Sequence, residues 1–136
     1  MVFSSHQFYP KMNIHFEDAQ RFVVSQLEDD VFNVSGEKPI FELTALATFV
    51  LSLARCTYSV LWVYGGRSDA DPESIEMTMS WDFDHEPTRF KQITMDIYWP
   101  TLPAKKQKVA QKMAAHCTIH NTIHNCVEMN TTLRVE

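Results

Sequence analysis

Residues 39–64 read PIFELTALATFVLSLARCTYSVLWVY, the longest apolar run in the chain, and the fold turns on how this run is read. Pro39 stands where a first helical turn tolerates proline, alanine and leucine dominate the first half, and Gly65 and Gly66 follow as a stop signal. One long helix is the expectation. Apolar side chains occur all round it, so burial on most sides is required rather than along one stripe. A core helix and a membrane helix both answer that description. A span needs about 20 apolar residues, but Arg55, near the middle, would cost roughly 2.5–3.5 kcal/mol at a bilayer centre. The run is therefore read as a core helix, and no membrane is expected.

Outward from this helix the pattern changes to strands. Before it, Met12, Ile14 and Phe16 alternate with polar neighbours, and RFVVSQ after a short polar turn has the β-branched composition of a partner strand. The segment 27–38 closes on Ser35-Gly36 and offers one more short strand. After the helix, GGRSDADPES reads as a loop. In IEMTMSWDFD, Ile75, Met77, Met79, Trp81 and Phe83 fall on one side, and FKQITMDIYWP repeats the pattern less strictly with Phe90, Ile93, Met95 and Ile97. HEPTR between them suits a hairpin turn. Pro100 and Pro103 then end the strand. A second helix, AKKQKVAQKMAAHC, carries Val109, Met113 and Cys117 at helical spacing, and CVEMNTTLRVE reads as a closing strand. Strands, long helix, two strands, helix, strand is an α+β order.

The totals agree with one domain over residues 1–136. A chain of this length buries about two thirds of its surface on folding. With 45% hydrophobic and 21% charged residues and a net charge of −5, no nucleic acid partner is expected, because Lys105, Lys106 and Lys108 form the only basic cluster. The N-terminus lacks a basic stretch followed by an apolar one, so a cytoplasmic protein is expected. Cys56, Cys117 and Cys126 are too few for a disulfide scaffold and are expected to be reduced.

Three features could carry chemistry. Helical geometry places Thr48, Ser52 and Ser59 on one flank of Cys56, either as a polar stripe or as hydroxyls bonded back to the preceding turn. Arg55 beside Cys56 would favour its thiolate, although adjacent residues point about 100° apart and pairing with a carboxylate elsewhere competes. In HCTIHNTIHNC, Cys117, His120 and His124 would share one face if the helix continued. Asn121, Asn125 and the β-branched neighbours argue instead that it ends near Cys117, so no metal and no cofactor are expected.

A buried helix with one cysteine, two long strands, then Cys-x-x-His-Asn-Thr before a last strand resembles the OsmC/Ohr family of organic hydroperoxide reductases. The likeness is carried by LARCTYSVLWVYG around Cys56, FDHEPTRFKQITMDIYWP over the two strands and AAHCTIHNTI around Cys117. It implies an OsmC-like fold with antiparallel sheets around the central helix in an intertwined homodimer. By the same resemblance, Cys56 attacks a small organic or lipid hydroperoxide and Cys117 resolves the product as a disulfide, which a lipoyl-type dithiol reduces. Cys126 has no part in it and is read as a packing residue. Catalytic members pair an arginine from the N-terminal strands with a glutamate at the start of the central helix. Arg21 matches the first, Leu46 occupies the place of the second, and Glu42 is the nearest carboxylate. Leucine at that position keeps a second reading open, a protein of the same fold that binds an apolar ligand or partner without catalysis.

Overall fold

The computed structural model describes residues 11–16, 22–28 and 45–136. Its strands are β1 (Lys11–Phe16), β2 (Phe22–Glu28), β3 (Glu76–His85), β4 (Thr88–Tyr98) and β5 (Glu128–Arg134), and its helices are α1 (Ala45–Ser68), α2 (Gln107–Ala114) and α3 (Thr118–Ile123). Arg21, Glu42, the first residues of the expected long helix and the short strand expected before it lie outside the described residues.

The strands form one sheet in the order β2-β1-β3-β4-β5. Three of its ladders are antiparallel. β5 runs parallel to β4, because α2 and α3 carry the chain back across the sheet before it pairs. Helices and strands are thus segregated, as an α+β fold requires.

Period-two patterning makes the core. Met77, Met79 and Trp81 of β3, and Ile93, Met95 and Ile97 of β4, are buried, as are Met12, Ile14 and Phe16 of β1. The looser alternation of β4 has a physical cause. Asp82 pairs with Gln92 but Phe83 with Phe90, so Lys91 is an extra residue that switches the inward parity from 93 to 90. The bulge brings Phe90 into ring contact with Phe83 and with Phe49 of α1, both at 5.1 Å between centroids.

α1 lies on this core through Ala47, Val50, Leu51, Leu53, Ala54, Thr57, Tyr58, Leu61, Gly65 and Ser68. Tyr58 stacks on Phe16 at 3.8 Å and donates its hydroxyl to the Pro72 carbonyl. The helix is long and apolar enough to cross a membrane by length and composition, yet this face is packed against the sheet. Its other face, with Thr48, Ser52, Ser59 and Val63, is exposed in the single chain.

The two glycines do not end the helix. Gly65 is a contact residue: a Cβ there would meet the Trp99 ring at 3.1 Å, Pro72 at 3.2 Å and the Ala70 carbonyl at 3.3 Å. The stop is Asp69, in the left-handed region at φ 54°, with the Ala70 N–H reaching back to the Gly65 carbonyl. That is a Schellman-type close, which asparagine or aspartate can form where glycine is absent. The expected ten-residue loop therefore shrinks to a short link and one 3-10 turn, Pro72–Ser74.

The second helical region also differs from expectation. α2 buries Ala110 and Ala114, while Val109 is 51% exposed. The chain then breaks at 115–117 and restarts as α3, capped by Cys117.

Candidate functional site

Cys56 and Cys117 come from distant parts of the chain and meet where α1 faces the start of α3. Cys56 lies half-buried on α1, one residue before Thr57, which is fully buried. A buried hydroxyl in so apolar a helix needs a partner. Thr57 finds it across the core: its Oγ1 donates to the Cys117 sulfur at 3.6 Å. The same sulfur accepts the His120 main-chain N–H at 3.3 Å, the bond that caps α3.

Burial pushes the Cys117 thiol up from its ordinary value, and the Cys56 thiol beside it raises it further by hydrogen bonding and by charge. The His120 N–H and the Thr57 hydroxyl oppose both effects, because each stabilises the thiolate. The Cys117 sulfur lies against α1 at Thr57, the residue after Cys56, and both cysteines are reduced here. An uncharged Cys117 thiol thus sits behind the more accessible Cys56.

The other candidates separate. Ser52 and Ser59 bond back to the carbonyls of Phe49 and Arg55, so the polar flank consists of ordinary helix-backbone hydroxyls. Arg55 is half-buried on the open side of α1. Leu46 stands in the first turn of α1, where the described residues include no acid. His116 and His124 are exposed, His120 and His124 stack at 6.0 Å, and burial with the two neighbouring histidines lowers the His120 pKa. Among the described residues no three His, Cys, Asp or Glu side chains converge as metal ligands. Cys126 is exposed ahead of β5 rather than packed.

Sequence reasoning missed Thr57 and the capping role of Cys117. A signal existed for each: Thr57 is the one hydroxyl of the helix adjoining Cys56, and Cys117 stands three residues before His120, the spacing of an N-cap contact.

The class defined by this architecture is α+β, with a thiol pair set between a long core helix and the cap of a short one. The family model described as OsmC-like protein matches residues 36–132, and the chain belongs to that family. Solved structures agree on the fold. An osmotic stress induced and detoxification response protein from Psychrobacter arcticus superposes with a TM-score of 0.62 at 13% identity, covering 98% of this chain and all of that one. A redox protein from Lactobacillus casei gives 0.57 at 13% identity over 97% of this chain and 93% of its own. The organic hydroperoxide resistance protein OhrB of Bacillus subtilis gives 0.51 at 17% identity over 93% and 98%. No curated protein matches the chain.

Proposed function

We propose that the protein is a thiol-dependent peroxidase that reduces small organic or lipid hydroperoxides with Cys56 and Cys117, as a cytoplasmic homodimer. The observation that carries this reading is the Cys117 sulfur, buried and held by His120 and by Thr57, the residue next to Cys56. The names of two neighbours, a redox protein and a hydroperoxide resistance protein, point the same way.

The chemistry balances with these two sulfurs. The Cys56 thiolate forms an S–O bond as the peroxide O–O bond breaks, and the alkoxide leaves as the alcohol after taking a proton. Cys56 is then a sulfenic acid. Cys117, whose thiol burial pushes up from its ordinary value, is less disposed to compete for peroxide. It attacks the sulfenic sulfur, an S–S bond replaces the S–O bond, and the Cys117 proton leaves with hydroxide as water. A dithiol of lipoyl type restores both thiols by exchange. Arg21 and Glu42 are proposed to orient the peroxide and the nucleophile.

The test is to treat reduced protein with cumene hydroperoxide and map the remaining thiols by alkylation and mass spectrometry. Cys56 and Cys117 should be lost together as a disulfide, with Cys126 still alkylated. If both stay reduced, the peroxidase reading falls. The second reading, a protein of this fold holding an apolar ligand, draws on the apolar first turn of α1 at Leu46. Co-purified lipid together with unreactive thiols would establish it.

A further inference from the structure

We propose that the edge of β5, beyond which no strand lies among the described residues, is a docking site for an acidic segment of a partner protein, bound as an added strand in the groove between β5 and α2. The Arg134 carbonyl accepts the Trp99 N–H at 2.8 Å, so residues of its parity face β4. Leu133 faces the other way, and so do Thr131 and Met129.

At Leu133 this outward edge is already occupied. Gln107 donates its amide to the Leu133 carbonyl at 2.7 Å, and the Leu133 N–H donates to the Gln111 amide oxygen at 3.1 Å. Gln107 also donates to Gln111, so the two amides together stand in for a neighbouring strand. They close one end of the edge only. Thr131 and Met129 line a groove of about 570 Å³ beside α2, and among the described residues no strand lies beyond β5. An unpaired edge walled by a helix is the setting in which an extended peptide gains main-chain hydrogen bonds by strand addition.

Charge selects the occupant. The chain is acidic overall, yet no Asp or Glu occurs between Asp96 and Glu128, while Lys105, Lys106, Lys108 and Lys112 fall in that interval. Lys108 and Lys112, one turn apart on α2, form the wall of the groove. A basic wall facing open main-chain groups fits a strand with glutamate or aspartate at alternate positions. His120, whose main-chain N–H bonds the Cys117 sulfur, lines one end of the groove, but neither cysteine does, and strand addition at β5 requires no thiol chemistry.

The probe is a fluorescein-labelled octapeptide of alternating glutamate and valine, titrated with the full-length protein and followed by anisotropy at low salt. Saturable binding is expected. It should weaken about tenfold or more in the Lys108→Glu, Lys112→Glu double variant. It should weaken comparably when the peptide carries proline at alternate positions, which removes main-chain donors without touching the protein's fold. Thr131→Pro, a substitution that an outward-facing edge N–H tolerates, should have the same effect. The proposal is overturned if the peptide does not bind, if a lysine–valine peptide binds equally well, or if the proline peptide binds as tightly as the parent. Light scattering on the double-lysine variant supplies the remaining outcome: a change in oligomeric state would assign the groove to a second copy of the chain and overturn the partner segment.

Discussion

At Cys117, two hydrogen bonds work against burial, and the balance can be moved one atom at a time. Thr57→Val deletes the hydroxyl that favours the thiolate, so the Cys117 pKa should rise further. Alkylation of Cys117 by iodoacetamide, mapped by mass spectrometry against pH, should move to higher pH in the variant; an unchanged profile would mean the 3.6 Å contact has no energetic weight. The raised pKa also has a stability sign. A thiol whose folded pKa lies above its ordinary value of 9.0 contributes fully below that pH and loses its contribution as pH rises through the folded value. Cys117→Ser lacks the titration. The difference in melting temperature between parent and variant should therefore shrink above pH 9.0, and a gap that widened there would contradict the assignment.

At the scale of elements, the two adjacent glycines of α1 separate helix propensity from packing. Gly66 has open space around its Cβ position, so Gly66→Ala should stabilise the protein by about 0.5–1 kcal/mol through propensity alone. Gly65→Ala gains the same propensity but forces a methyl against Trp99, which is fully buried, and against Pro72 and a carbonyl. It should destabilise by about 1–2 kcal/mol net. Urea midpoints at unchanged slope would read both, and equal shifts would refute the packing argument. These glycines also mark where sequence reading stopped. Period-two alternation was legible because β1, β3 and β4 each bury one face, and the length of α1 was legible from its apolar run. Its end was not, because glycine signals a helix stop and a close approach with the same residue. The end of the second helix near Cys117 was legible, but its restart as α3 was not, since Thr118 to Ile123 favour extended chain and are held helical by a cap and by packing beside α1. Of the site, both cysteines were legible as residue types, whereas Thr57 required knowledge of which hydroxyl faced inward.

For the whole molecule, the exposed face of α1 is the surface on which assembly turns. Val63, 54% exposed, continues a stripe with Ser52, Ser59 and half-buried Val60 and Cys56. A second copy packed on this stripe would bury the rest of the helix and enclose Cys56 in an apolar pocket. Light scattering should therefore give a dimer, and Val63→Asp should shift it toward monomer at micromolar concentration, because placing a carboxylate among the apolar side chains of such an interface carries a desolvation cost. A monomeric parent would remove the homodimer from the proposal. Finally, one atom both terminates a helix and belongs to the thiol pair. Because the Cys117 sulfur fastens the first turn of α3, anything that turns that sulfur away also unties six residues of backbone. Chemical state at the thiol would then be legible as local fraying. Amide exchange at His120 should accelerate in Cys117→Ala and stay slow in Cys117→Ser, whose hydroxyl can take over the knot.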